Sequence, residues 1–259
     1  MWVRVRGCSV QKAGNHPDEN EDSFHPRHVV HAEARYLRVA IADGATESSY
    51  SREWAEELVR GYGRGRLPPA RFDSGLGRLQ NRWQARVGNR PLPWYAQEKL
   101  RQGAFSTLVG LTIAGDPSRG AGGHWAAMAA GDSCLFHLRA GRIERSFPMV
   151  NADDFSNHPA LLPSRREGHG TASALTVCAH GMWQPGDIFL LATDALAHWV
   201  LRSAARPTRV LGGLMSAMSS DGEFHSWVTG LRTSGKLRND DVTAVVVSVN
   251  SRPVASQAG

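Results

Sequence analysis

Apolar residues occur along most of the chain in short runs that are separated by polar turns. Runs rich in β-branched and apolar residues, bounded by turn residues, are typical of β-strands. Several of them adjoin through short turns, such as the one at 139–142, which favours antiparallel pairing. The pattern predicts strands at 2–10, 36–42, 105–113, 125–130, 134–139, 174–180, 187–193 and 242–249.

Helices are predicted by apolar residues that recur every three or four positions. One pair of such stretches lies at 54–62 and 76–87, and a second pair, 210–218 and 224–231, lies near the C-terminus. The helices thus come in two pairs separated by strands, which predicts an α+β fold with antiparallel sheet layers covered by helices on either side. The first pair of stripes consists of Trp54, Leu58 and Tyr62 behind a candidate cap at Ser51, and of Leu76, Leu79, Trp83 and Val87 behind Ser74.

The 259 residues are enough for one sizeable domain, and no internal repeat divides them. We expect a single domain over 1–250. The polar stretch 146–170 is interrupted by Pro and Gly and predicts a flap or long loop. The small polar residues of 251–259 predict a flexible tail.

The composition is that of a globular protein, with 41% hydrophobic and 21% charged residues. The first ten residues alternate apolar and charged side chains, and no apolar run approaches the ~18 residues of a membrane span, so we expect neither export nor membrane insertion. Cys8, Cys134 and Cys178 are an odd number of widely spaced cysteines, which favours reduced thiols and a cytoplasmic location.

The formal net charge is +6, and nearly all of the basic residues are arginines. An arginine-rich segment at 60–90 leaves nucleic-acid binding open as a reading that rests on charge alone. Because these arginines are mostly spaced like the solvated face of a helix, we consider nucleic acid an improbable partner.

Acidic residues occur where the predicted strands begin or end. Asp43, for example, directly follows the apolar run "VAIA". A single acid in such a place is ordinarily a helix cap or turn residue, and Asp194 before "ALAHWV" could be one. Neighbouring strands would however bring several carboxylates together, at a high cost in repulsion. The acids of this kind are Glu21, Asp22, Asp43, Asp132, Asp194, Asp240 and Asp241.

A bound divalent cation would relieve this repulsion. The available ligands are hard oxygens, with no His or Cys at ligand spacing beside them, so the pattern favours Mg²⁺ or Mn²⁺ over zinc. Gly44 follows Asp43 and would let the backbone approach closely, so that its carbonyl could serve as a further ligand.

Six motifs, in this order, resemble the metal-dependent protein phosphatases, the type 2C serine/threonine phosphatase family, and in particular a divergent bacterial branch of it. They are "NEDSF", "VAIADGA", "GAFSTLVGLTI", "AAGDSCLFHLRAGRI", "GDIFLLATDAL" and "DDVTAVVVSV", and the resemblance covers roughly residues 7–249. It implies a four-layer α-β-β-α sandwich, with two central antiparallel sheets flanked by helix pairs and a metal cluster at one edge.

The resemblance also implies residue roles. Asp43 would bridge two metal ions, Gly44 would add its carbonyl, and Asp194 and Asp240 would complete the shell of one ion. The other ion would be held by Glu21 or Asp22, and Asp132 would contribute to a third metal position. A hydroxide that bridges two Mg²⁺ or Mn²⁺ ions would then hydrolyse a phosphomonoester. The implied partners are a phosphorylated protein substrate and a cognate serine/threonine kinase. We expect the protein to be a monomer.

Three departures from the family pattern concern substrate binding. Pro17 stands where the family usually carries a phosphate-binding Arg, "ATESSYS" replaces a Gly-rich turn, and Ala195 replaces Gly after Thr193 and Asp194. The related bacterial branch has a His near the position of Pro17, so His16 is a candidate for phosphate contact or proton donation. A lone His in a polar loop is more often simply exposed.

These departures keep a second hypothesis open, a pseudophosphatase that binds phosphoproteins or a regulatory partner without cleaving them. We rank it second, because all of the candidate metal ligands are retained. Ser106 and Thr107 carry hydroxyls, but no motif supplies them with a base, so we assign them only to the start of a buried strand.

Overall fold

The computed structural model describes residues 1–46, 50–88, 102–116, 122–156, 158–166, 171–203 and 207–251. Its helices are α1 (Ser51–Gly63), α2 (Phe72–Gly88), α3 (Asp194–Arg202), α4 (Pro207–Ala217) and α5 (Asp221–Thr233). Its strands are β1 (Trp2–Val10), β2 (Ser23–His25), β3 (Val30–Glu33), β4 (Tyr36–Ala42), β5 (Phe105–Ser106), β6 (Leu108–Gly115), β7 (Gly123–Ala130), β8 (Cys134–Arg139), β9 (Arg142–Phe147), β10 (Leu162–Pro163), β11 (Val177–Trp183), β12 (Ile188–Ala192) and β13 (Val242–Asn250).

The strands form two large sheets in which neighbouring strands pair antiparallel. The six-stranded sheet has the order β3-β1-β13-β12-β8-β9, and the five-stranded sheet has the order β11-β7-β6-β4-β2. β5 and β10 form a short separate pair. The chain passes from the five-stranded to the six-stranded sheet in the turn between β7 and β8, which contains Asp132.

The apolar residues of β13 show how the layers are built. Val245, Val247 and Val249 belong to the core between the two sheets. Val242 and Ala244 face the opposite way, into a core shared with α3, α4 and α5. A third core joins the outer face of the five-stranded sheet to α1 and α2. The predicted α-β-β-α sandwich is therefore confirmed, and burial of both faces explains the apolar run 244–247 in the last strand.

The elements differ from the sequence prediction mainly at their edges. The short strands β2, β3 and β10 and the largely polar β9 were not among the predicted strands. The described helices on one side number three rather than two, because α3 adds to the predicted pair. Only Thr193 and Asp194 lie between its apolar residues and those of β12, so the periodicity does not separate the two elements.

The predicted helix caps at Ser51 and Ser74 are wrong. Tyr50 precedes α1 in a left-handed conformation with φ 63°, and Ser51 is the first buried residue of the helix. The helix α2 begins at Phe72, so Ser74 lies within its first turn and donates to the carbonyl of Arg71. The hydroxyl of Ser51 is thereby free to serve another part of the structure.

Part of the predicted flap is anchored. Within 146–170, a 3₁₀ turn spans Ala152–Asp154, and β10 pairs with β5. Residues 167–170 lie outside the described part of the chain, as does all of the predicted tail except Ser251. No helix in the described part of the chain is long and apolar enough to cross a membrane.

Candidate metal centre

Asp43 lies at the end of β4, where its backbone is held from both sides. Its N–H donates to Oγ1 of Thr107 at 3.0 Å, and its carbonyl accepts from the Thr107 N–H at 2.9 Å and from the Ser106 hydroxyl at 2.8 Å. From the sequence, these two residues were predicted only to start a buried strand. Buried hydroxyls need partners, and here they fix the position of the carboxylate-bearing residue.

The same hydroxyl of Thr107 links Asp43 to a second acid. Its Oγ1 lies 2.8 Å from Oγ of Ser133, the residue that follows Asp132 in the turn between the two sheets. The preceding Gly131 has φ 89°, which a residue with a side chain would adopt only at a cost in energy. Asp132 is buried, and this burial raises the pKa of its carboxyl.

Gly44 is needed for close packing beside Asp43. A Cβ atom at this position would lie 2.9 Å from Cβ of Ser51 and 3.0 Å from the carbonyl oxygen of Glu21. The Ser51 hydroxyl donates to the carboxylate of Glu21, and burial raises the pKa of this carboxyl. Glu21, Gly44 and the start of α1 are thus in contact, as a shared site requires. The neighbouring residues 47–49 lie outside the described part of the chain.

Asp22 is buried with one carboxylate oxygen unpaired. Its Oδ2 accepts from the Thr193 hydroxyl at 3.1 Å, whereas its Oδ1 has no hydrogen-bond partner among the described residues. The Thr193 Oγ1 in turn accepts from the N–H of Thr243 at 2.9 Å. Burial, followed by the negative charge of Asp241, raises the pKa of Asp22. An orphaned carboxylate oxygen in a buried acidic site is what a cation would satisfy.

Asp194 and Asp240 lie on the six-stranded sheet side and share one basic partner. Asp194 is the first residue of α3, and Asp240 precedes β13. The guanidinium of Arg238 contacts the carboxylate of Asp194, and its Nε lies 3.6 Å from Oδ2 of Asp240. Nζ of Lys12 lies 3.2 Å from Oδ1 of Asp240. These basic groups neutralise part of the acidic site.

Asp241, adjacent to the predicted ligand Asp240, has a positioning role that the sequence analysis did not assign. Its two carboxylate oxygens accept the backbone N–H groups of Lys12 at 2.7 Å and of Glu21 at 2.8 Å. Arg232 donates to the carbonyl of Asp240 and, at 2.9 Å, to that of Gln11. Together these contacts tie the loop before β2 to the start of β13. No sequence motif could reveal contacts between such distant segments.

The acids converge electrostatically on Asp43. Burial, and then the charges of Asp22, Asp240 and Asp132, raise its pKa well above the ordinary value. A cavity of about 380 Å³ opens onto Asp43, Asp132 and Asp194, and its remaining lining includes part of the predicted flap. The other lining residues are Ala45, Thr46, Thr107, His158, Pro159 and Leu161.

The donor set suits a divalent cation, but the side chains are not closed around one. Carboxylate oxygens are the ligands that Mg²⁺ and Mn²⁺ prefer, and the crowding around Asp43 and the orphaned oxygen of Asp22 both favour a cation. As the side chains stand, the described residues contain no group of three acids, imidazoles or thiols placed to hold an ion. Asp194 and Asp240 face Arg238 instead, and Glu21 faces Ser51.

His16 lies apart from this cavity. Its imidazole is largely exposed and caps the 3₁₀ turn Pro17–Glu19, where Nδ1 accepts from the N–H of Asp18 at 3.4 Å. The side chain is not among those that line the cavity. Exposure at a turn is the simpler of the two readings, and a part for His16 in catalysis stays a prediction.

No protein-family model matches the chain, and no curated protein matches it. Solved structures do. The Mycobacterium tuberculosis serine/threonine phosphatase PstP/Ppp is similar with a TM-score of 0.62 and 16% identity over 96% of this chain and 100% of that one. The catalytic domain of PstP in complex with two manganese ions is similar with a TM-score of 0.61 and 17% identity, over 96% of this chain and 99% of that one.

PppA, described as a key regulatory component of the T6SS in Pseudomonas aeruginosa, gives a TM-score of 0.55 and 21% identity over 96% of this chain and 98% of that one. The similarity thus extends over nearly the whole length of each chain, with the same two-sheet core. At such low identity the likeness concerns the backbone arrangement. The chain therefore has the fold of the type 2C serine/threonine phosphatases, as its motif series implied.

Proposed function

We propose that the protein is a metal-dependent serine/threonine phosphoprotein phosphatase. The observation that carries this proposal is that acids from both sheets, Asp43 and Asp194, line one cavity together with Asp132 from the turn between the sheets. The fold shared with a manganese-bound phosphatase supports it. The substrate would be a phosphorylated protein, produced by a cognate kinase, and we expect the phosphatase to act as a cytoplasmic monomer.

In this proposal, Asp43, Gly44, Asp194 and Asp240 hold Mn²⁺ or Mg²⁺ together with Glu21 or Asp22, and Asp132 serves a third position. When bound, the ions would activate a water molecule and neutralise phosphoryl oxygens during an in-line displacement. The residues of this chain contribute by positioning the proposed metal ligands.

Placement depends on the residues behind the ligands. Thr107 and Ser106 fix the backbone of Asp43, and Asp241 holds the backbone N–H of Glu21. His158, Pro159 and Leu161 line the same cavity, where they would limit the access of bulk water to a bound phosphoryl group.

The direct test measures hydrolysis of p-nitrophenyl phosphate and of phosphoserine and phosphothreonine peptides with Mn²⁺. We expect turnover that requires the metal and that is abolished in Asp43→Asn, because this variant removes the central carboxylate while conserving its size. Asp153→Asn makes the same chemical change in an exposed 3₁₀ turn, at a residue that does not line the cavity, and should behave as wild type. A folded protein without metal-dependent turnover on any phosphopeptide would contradict the proposal.

The pseudophosphatase remains the second candidate. Two observations favour it. Arg238 pairs with Asp194 and Asp240, which would weaken metal binding. Pro17 stands in place of an arginine, which would weaken substrate binding. Calorimetry distinguishes the two functions. Binding of two ions and of a phosphopeptide without turnover would indicate the binding module.

A further inference from the structure

Arg238 belongs to a loop between α5 and β13 and extends its guanidinium to two of the acids. It contacts the carboxylate of Asp194, which lines the cavity, and lies 3.6 Å from the carboxylate of Asp240. Its side chain is 49% exposed, whereas that of Asp194 is 12% exposed. The arginine therefore approaches the acids from the solvent side and is free to move without disrupting a packed core.

The guanidinium and a metal ion compete for the same oxygens. Asp194 and Asp240 are the acids that the proposed function gives to one ion, so binding of that ion must release Arg238 from them. The released side chain keeps its charge and stays tethered at the rim by its own backbone. A half-exposed ion pair is weak enough for a divalent cation to displace.

A phosphoryl group needs positive charge at this place. The dianion would approach a cavity in which none of the described lining residues is Lys or Arg. Among the described residues, the basic side chains paired with the carboxylates of Asp194 and Asp240 are Arg238 and Lys12. Of the two, arginine presents a planar fork that can bind two phosphoryl oxygens at once.

We propose that Arg238 is a substrate-binding residue whose guanidinium pairs with Asp194 and Asp240 in the metal-free protein and turns to the phosphoryl oxygens once ions occupy those carboxylates. This inference rests on the proposed function, and it adds a phosphate-recognising side chain to the site. It also makes the arginine a competitor of the metal, so its removal should weaken phosphate binding without weakening metal binding.

The test measures binding of Mg²⁺, and then of inorganic phosphate to the Mg²⁺-loaded protein, by calorimetry. We expect Arg238→Gln to bind phosphate about 10- to 100-fold more weakly, the effect of losing a charge-assisted pair of hydrogen bonds. Its Mg²⁺ affinity should equal or exceed that of wild type. Arg238→Lys should retain part of the phosphate affinity, and it provides a folded variant should the Gln variant fail to fold.

Arg142→Gln is the matched control, because Arg142 is exposed at the start of β9, beside the end of β8 remote from Asp132. It should bind phosphate as wild type does. Unchanged phosphate affinity in Arg238→Gln would overturn the inference, as would a loss confined to Lys12→Gln.

Failure of the proposed function looks different. A wild-type protein that binds neither Mg²⁺ nor phosphate would overturn both proposals. A wild-type protein that binds both ligands without turnover would overturn the enzymatic function, and the phosphate affinity of Arg238→Gln would still decide the role of Arg238.

Discussion

Asp43 is a residue whose chemistry works against the stability of the metal-free fold. Its carboxylate is held among Asp22, Asp132 and Asp240, and burial together with their charges opposes its ionisation. Sites that gather like charges are maintained at a cost in folding free energy. The hydrogen bonds from Thr107 to the Asp43 backbone keep the residue in this unfavourable place.

We therefore expect Asp43→Asn to stabilise the metal-free protein by about 1 kcal/mol, because the amide avoids the burial and repulsion that oppose ionisation of this carboxyl. Wild type should in turn gain stability when Mn²⁺ is added, through binding to the folded state alone, and the variant should not. Urea unfolding in EDTA and in Mn²⁺ measures both effects. Lower stability of the variant in EDTA would show that the carboxylate is already satisfied by other partners.

Most of the acids could be found from the sequence, since Asp43, Asp132, Asp194 and Asp240 lie beside predicted apolar strands. The residues that position them could not. Thr107, Ser133 and Asp241 act through contacts with segments far away in the chain. Such contacts depend on which strands are neighbours, and hydrophobic periodicity does not encode this order.

At the level of elements, strands buried on both faces were predicted well and edge strands poorly. β4 and β13 have apolar runs, whereas β3 has no fully buried residue and β9 has only one, Phe147. Polar contacts at the strand ends also hold the strands in place, and the hydrophobic pattern does not predict these contacts. Asp187, just before β12, accepts hydrogen bonds from Arg139 at 2.8 and 2.9 Å, and lies 2.8 Å from Nε2 of His137.

Asp187 should make stability depend on pH. Burial alone would raise its pKa, but hydrogen bonds, led by those from Arg139, hold the pKa below its ordinary value of 3.8. A carboxyl with a lowered pKa stabilises the fold above its unfolded pKa, and this contribution is lost as the pH falls through the folded pKa. Asp187→Asn should thus destabilise the protein by about 3 kcal/mol at pH 7, because it leaves buried donors without their anion.

Urea unfolding of wild type and Asp187→Asn between pH 7 and pH 3 tests this prediction. The difference between the two proteins should be constant near neutrality and shrink below pH of about 4, where the unfolded chain begins to take up the proton. A difference that does not change with pH would assign the effect to packing.

At the level of the whole molecule, the candidate centre joins the two sheets. Asp43 follows a strand of the five-stranded sheet, Asp194 and Asp240 flank strands of the six-stranded sheet, and Asp132 lies in the turn between them. The sequence predicted sheet layers covered by helices from its periodicity, but the pairing of two separate sheets came from the motif resemblance. Strand order across a sandwich is a long-range property that local pattern does not determine.

Because the proposed metal ligands come from opposite ends of the chain and from both sheets, the metal site would form only after the sandwich has closed. A bound manganese ion would then stabilise the folded protein without accelerating its folding. Stopped-flow measurements should find the same refolding rate in Mn²⁺ and in EDTA, and slower unfolding in Mn²⁺, since contacts formed after the transition state retard unfolding alone. Refolding that accelerates with Mn²⁺ would mean that the acids assemble before the sheets do.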